Sequence, residues 1–426
     1  MLNRNSQPAI HTLDQISIME PEKYTLDNGI DVYQFDSGTQ DLLMIELIFK
    51  AGTWQQEEPF SALRTNLMLR EGTKALTSQQ ISEKLDYYGA HLETSVEKDH
   101  AFVTLFTLNK HLTETLTVLE DIIKNASFPE QECSVIIGKQ RQTLAINMQK
   151  VSYLARTRFT SLLFGRQHPY GQTIQPEDLE INDTDQFARF HRLYYHAANC
   201  RMLVAGKIPA GFQMLLQQHF GGNDWLRELQ PEVHFAAAPS AEKEIFIQKD
   251  DALQSAIRMG REMFNRNHPD FIAMHFLNTL LGGYFGSRLM SNLREDKGFT
   301  YGIGSGIVPF DHSGFFFISA EVGSQVTRQA VQEIENELNK LCSEDVNEKE
   351  LELVRNYLQG SFLRSIDGPF ALADRYRDVL LSGYDMNYYN QMLEIERNIT
   401  PRQLRELAAR YLNPKEMYLL IAGKQA

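Results

Sequence analysis

Arg294 and Tyr301 stand seven residues apart in the stretch FLNTLLGGYFGSRLMSNLREDKGFTYGIGSGI, residues 276–307. One offers a guanidinium that is always charged, the other a phenol with a directional O–H donor. Phe276, Leu277, Leu280 and Leu281 recur at helix spacing, and Leu289, Met290 and Leu293 resume the pattern. Gly282, Gly283 and Gly286 interrupt it, which predicts a loop or a strained helix junction where backbone approaches something closely. Arg294 closes the second helical segment, Gly298 stops it, and FTYGIGSGI alternates as a strand. A fixed cation and a phenol therefore flank a helix-to-strand turn. Spacing alone also allows a plainer reading, an arginine favoured by the helix dipole and a tyrosine on a strand face.

Other candidates for chemistry are weaker. Cys133, Cys200 and Cys342 are far apart and show no CxxC spacing. That suits a reducing compartment and argues against a disulfide framework or a cysteine zinc site. His191 and His196 are five residues apart, about 140° around a helix, and so do not share a face. His91 and His100 fall on or between predicted strands near Glu93, Glu97 and Asp99, a pattern read as a solvated polar strand face. His168 in HPYG reads as a turn residue. GxGxG at 302–306 sits inside a strand with no helix after it, and no GxSxG, P-loop or Rossmann fingerprint occurs.

A chain of 426 residues exceeds one comfortable core, so two or more domains are expected. The net charge is −13 and no Lys/Arg tract is interleaved with aromatics, which weighs against nucleic acid or an anionic membrane as partner. The opening MLNRNSQPAIHTLDQ has no apolar core of a signal peptide, and no run of 18 apolar residues occurs. The cytoplasm is the expected location.

The elements that must position the pair come in a repeated order. YTLDNGIDVYQFDSG (24–38) reads as a hairpin turning at Asp27-Asn28-Gly29. A buried strand, helices at Pro59–Leu69 and Ser78–Gly89 (the second capped by Ser78), two strands and an amphipathic helix with Leu112, Leu116, Leu119, Ile122 and Ile123 on one face follow. One long helical region from Glu130 to Phe164, the HPYG turn, a helix starting at Asp183 and a strand ending in AGK complete the first half. The second half repeats this order. RQLRELAARYLNPKEMYLLIAGK echoes DQFARFHRLYYHAANCRMLVAGK without a gap, so that Tyr194 and Tyr411, and Gly206 and Gly423, share one displacement of 217 residues. The fold expected is α+β: a tandem duplication of two similar domains, each a mostly antiparallel sheet packed with helices. The domains are placed at 1–222 and 245–426, with the Pro- and Ala-rich stretch 223–244 as linker.

With this repeat and REDKGFTY in view, the chain resembles the pitrilysin/insulinase-type zinc metallopeptidases, in particular subunits of this size that pair into a clam-shell chamber. The resemblance runs from about Tyr24 to Lys424 and rests on GGYFGSRLMSNLREDKGFTY, the HPYG turn and the two AGK-ended strands. Active members carry an H-x-x-E-H helix, whose two His grip zinc while the Glu serves as general base, and a later Glu completes the site. Registering Gly72-Thr73 on that pattern puts Leu63, Asn66 and Leu67 at the three positions. Leucine has no lone pair for a metal, and asparagine cannot accept a proton as a base. The later Glu is missing too: from Cys133 to Pro176 there is no acid, while Lys139, Arg141, Lys150, Arg156, Arg158 and Arg166 lie there.

The resemblance further implies that Arg294 and Tyr301, with Gly282 and Gly283 beside them, reach the substrate peptide and stabilise its oxyanion. It thus implies a non-catalytic subunit of a heterodimeric zinc peptidase. This chain would hold no cofactor, and zinc would sit in a homologous partner with an intact H-x-x-E-H. Peptide or unfolded protein would be the substrate. Two alternatives stay open, a structural or peptide-binding pseudopeptidase and, less favoured, a zinc peptidase with an atypical site.

Overall fold

A computed structural model describes residues 18–180 and 183–425. The opening 15 residues, on which the signal-peptide reading falls, lie outside the described residues, as does part of the first expected domain. In the first half the strands are β1 Glu22–Thr25, β2 Asp31–Asp36, β3 Leu42–Phe49, β4 His91–Val96, β5 Ala101–Leu108 and β6 Cys200–Gly206. In the second they are β7 Glu244–Gln248, β8 Gln254–Met263, β9 Thr300–Pro309, β10 Gly314–Gly323 and β11 Tyr418–Gly423. The hairpin at Asn28-Gly29 forms as expected: Gly29 takes φ +92°, a backbone angle that only glycine adopts without strain, and β1 pairs antiparallel with β2.

The strands make two sheets of one design. The first runs β1-β2-β6-β3-β5-β4 and the second β7-β11-β8-β10-β9. Without β1 the two orders correspond strand for strand. Each has one parallel contact, β2 with β6 and β7 with β11, in an otherwise antiparallel ladder. The 217-residue displacement also carries helix Thr184–Tyr194 onto Pro401–Tyr411, and nearly carries Glu130–Asn147 onto Glu348–Arg364. The chain is a tandem duplication of one α+β unit.

Local signals explain most boundaries. Thr77, one residue before the expected Ser78, caps helix Ser78–Tyr87, because Thr77 and Gln80 close a reciprocal capping box. The expected helix 130–164 is two helices, Glu130–Asn147 and Val151–Phe164, broken at Met148–Lys150. The break redirects the chain. Cys133, Ile137 and Leu144 of the first pack on Met68, Phe128 and Leu179 of their own half. Ala155, Phe159, Leu163 and Phe164 of the second pack instead on Ala256, Phe315, Leu420 and Ala422 of the other half's sheet. The same displacement of 217 residues carries Val151–Phe164 nearly onto helix Pro369–Leu380, whereas helix Asn387–Asn398 stands outside the elements expected above.

Helix Pro369–Leu380 returns the exchange. Strands buried on both faces need a second cover, and Leu372, Tyr376, Val379 and Leu380 supply it over Tyr33, Phe35, Met44, Leu203 and Ala205 of the first sheet. The face opposite, with Val32, Ile45, Leu47, Val103 and Val204, is covered by the half's own helices. Each half therefore lends a helix to the other. Burying one large apolar side chain contributes about 1.5–3 kcal/mol, so these two helices bind the halves strongly.

One charge lies in that crossing. Glu46 of β3 is 2 % exposed and accepts from Thr104 Oγ1 at 3.0 Å and from Arg377 Nη1 at 2.7 Å. Burial holds its carboxyl above the ordinary range, and Arg377 opposes that shift. Taking away the arginine strands a buried carboxylate. Arg377→Met should lower unfolding stability by about 3 kcal/mol, and adding Glu46→Leu should recover most of the loss, read by denaturant melts of the three variants.

Candidate functional site

Arg294 and Tyr301 are brought together. The helix Phe271–Asn278 widens into a π-helical turn at Thr279–Gly283, the chain loops through Tyr284–Ser287, and a second π-helical segment, Met290–Asp296, carries Arg294. Such widened turns need tertiary support and are frequent at functional sites. Here Arg288 clamps Glu350 through two bonds of 2.7 and 2.8 Å, and Asn292 Nδ2 donates to Glu337 Oε1 at 2.8 Å. Gly298 turns at φ +65° into β9, which starts beside Tyr301.

Gly282 answers the expected close approach. A Cβ there would lie 2.5 Å from Ser305 Oγ and 2.7 Å from Ser305 N, so only glycine lets this turn seat on β9. Gly282 is buried by that contact, whereas Gly283 is exposed. Phe285, between the glycines, supplies a partner that the sequence did not single out. The Arg294 guanidinium lies 4.6 Å from the Phe285 ring centroid and 5.0 Å from that of Tyr301. The cation is thus held between two exposed rings. No carboxylate forms a salt bridge with Arg294 among the described residues. Tyr301 is 89 % exposed and its hydroxyl is free to meet a ligand.

In the first half, helix Ser61–Met68 separates the three degenerate positions. Leu63 and Leu67 face a cleft of about 470 Å³ walled by helix Glu130–Asn147 and bordered by Thr94 of β4. Asn66 turns away into the core at 0 % exposure, where Nδ2 donates to Tyr195 Oη at 3.1 Å and to the Phe102 carbonyl at 3.4 Å. The donor set does not fit zinc: two leucines face the cleft, and Gln140, Thr143 and Leu144 stand on its helical wall. Among the described residues, no group of three or more His, Cys, Asp or Glu is placed to hold a metal ion.

The other candidates have structural partners. His191 Nε2 bonds the Ile123 carbonyl at 2.8 Å, and burial lowers its pKa to about 4. His196 bonds the Leu193 carbonyl, and exposed His91 meets Glu93 at 3.1 Å. His100 is buried 3.6 Å from Asp311 of the second half, so that strand face is not solvated throughout. In HPYG, His168 Nδ1 accepts from Tyr170 N, and the Tyr170 hydroxyl donates to Asp99 at 2.6 Å and accepts from His312 N at 3.2 Å. That turn joins the halves. The three cysteines are free thiols.

This architecture has relatives. Residues 47–166 match the family described as Insulinase (Peptidase family M16), and residues 183–358 match its Peptidase M16 inactive domain. The chain belongs to the insulinase-type M16 peptidase family. An uncharacterized zinc protease of Rickettsia bellii is 24 % identical over 79 % of this chain and 81 % of its own length. The human mitochondrial-processing peptidase subunit beta is 23 % identical over 99 % of this chain and 87 % of its own. Among solved structures, a peptidase M16 inactive domain from Pseudomonas fluorescens superposes with a TM-score of 0.85 at 21 % identity, covering 96 % of this chain and 99 % of its own. No helix among the described residues is long and apolar enough to cross a membrane.

The burial of Asn66 has a measurable consequence. An aspartate there would lose the Nδ2 donor and face the Phe102 carbonyl with only the Tyr195 hydroxyl left to donate to it, so burial would raise its pKa above the unfolded value of about 3.9. With a raised folded pKa, the variant is least penalised below about pH 4 and loses stability as pH rises. Asn66→Asp should cost roughly 3 kcal/mol at neutral pH and much less in acid, checked by melts across pH.

Proposed function

We propose that this chain is the non-catalytic subunit of a heterodimeric zinc peptidase. It binds the peptide and presents Arg294 and Tyr301 to the active site of a homologous partner with an intact H-x-x-E-H. The observation that carries this reading is the asymmetry between the halves. Leu63 and Leu67, read at the places of ligands, line the cleft of the first, while the second holds Arg294 between two rings beside a fully presented phenol. A tyrosine 89 % exposed contributes little to folding, and a peptide carbonyl is a natural acceptor for it. A guanidinium fixed between rings loses little freedom when it meets a developing negative charge.

Strand β4 is an edge of the first sheet and borders the cleft, so an extended peptide or unfolded segment can add to it through main-chain bonds. The naming of a human relative as a subunit supports pairing. The zinc belongs to the partner, and this chain's part is to bind and orient. We place the domain division at 1–222 and 245–426 and the protein in the cytoplasm, which its free thiols suit. A peptide-binding pseudopeptidase without a part in cleavage is the second reading, favoured by the apolar cleft itself.

Reconstitution of the pair separates the two. Tyr301→Phe and Arg294→Ala should each lower kcat/KM by about 10²–10³-fold, the effect of losing an oxyanion donor. Assembly and partner zinc content should stay unchanged, and Arg294→Ala should cost only about 0.5–1 kcal/mol in stability. Unchanged turnover in both variants would reduce this chain to a scaffold.

A further inference from the structure

The cleft beside helix Ser61–Met68 lies where the resemblance puts a metal site, and its lining has a different chemistry. Its floor is apolar, with Leu63, Leu67, Ile136 and Leu144 facing a space of about 470 Å³. At about 30 Å³ per water, that is far more room than a trapped solvent molecule needs. Leu63 and Leu67 are half-buried, so they are accessible from the cleft. A wet apolar concavity of this size favours an apolar group that displaces its water.

The rim carries a sign. Arg70 and Lys139 border the cleft and are exposed, and neither forms a salt bridge among the described residues. Glu71, also in the lining, accepts from Ser78 Oγ at 2.9 Å. Behind the rim, the wall-forming stretch from Cys133 to Pro176 has no acid at all, and Arg156 lies over the ring of Tyr153, another lining residue. Two cations against the single carboxylate of Glu71 leave the rim net positive on a chain of net charge −13, a departure from the chain's own field that selects the opposite charge.

We propose that this cleft receives a large apolar side chain of a peptide whose flanking residues are carboxylates. The inference rests on the peptide-binding part of the reading above and names the class of peptide. Leu63 and Leu67 take the side chain, and Arg70 and Lys139 take the flanking charges. Lysine- or arginine-flanked segments meet like charge at the same rim and are rejected.

The test uses the full chain alone, without any partner, so its outcome is independent of trans catalysis. Three fluorescent peptides of one length are compared by anisotropy: phenylalanine flanked by glutamates, phenylalanine flanked by lysines, and serine flanked by glutamates. The first should bind roughly tenfold or more tighter than either other, with affinity falling as salt is raised. Arg70→Glu with Lys139→Glu, both on exposed side chains, should leave the melting temperature in place and reverse the preference to the lysine-flanked peptide. Leu67→Asp should abolish binding of the first peptide. Equal binding of acidic and basic peptides, no reversal, or no binding of any peptide would overturn the proposal. Unchanged turnover in the reconstituted pair would overturn trans catalysis alone and leave this result standing.

Discussion

Two helices that cover each other's sheets hold this molecule together. Each sheet has apolar residues on both faces, and each half's own helices reach only one. Val151–Phe164 closes the second sheet and Pro369–Leu380 closes the first. Without that exchange Tyr33, Phe35 and Met44, or Phe315 and Leu420, would face water. The arrangement is tight enough to keep Glu46 dry, and the chain meets that cost with Arg377 from the crossing helix. Tyr170, Asp99 and His312 add a polar join nearby.

The candidate sites depend on this frame without contributing to it. Arg294 is placed by the seating of Gly282 on Ser305 of β9, and β9 is aligned by β10, whose own partner β8 lies under the borrowed helix. Exposed Tyr301 and Phe285 then need only the position of their backbone. The cleft at Leu63 is likewise set by helix Ser61–Met68, which is anchored through buried Asn66 and Met68. Side chains facing the cleft can change without disturbing that anchor. Chemistry and scaffold are separable in the first half.

Much of this was legible in the sequence, because it is written in local patterns. The gapless echo of Tyr194 in Tyr411 shows the duplication, Asn28-Gly29 shows the hairpin, and the glycines before Arg294 mark the junction. Signals that depend on distant partners were not legible. The helices 130–147 and 151–164 each bury apolar residues on opposite sides of the chain's course, so their residues read as one long helix. Nothing near Glu46 announces Arg377, and nothing near Arg294 shows that Phe285 folds back over its guanidinium. Asn66 was read at the place of a general base, and its turn into the core comes from Tyr195 and Phe102.

The exchanged helices also say something about ancestry. A single copy of this unit would leave one sheet face bare, and the simplest remedy is to trade that helix with a second copy. The present chain has the form of a swapped dimer written on one polypeptide, with the stretch after Trp225 joining its two halves. Topology of this kind holds the halves even if the join is severed. It also leaves each half's surface free to differ, so that a leucine-lined cleft in one stands beside an arginine and a tyrosine displayed by the other.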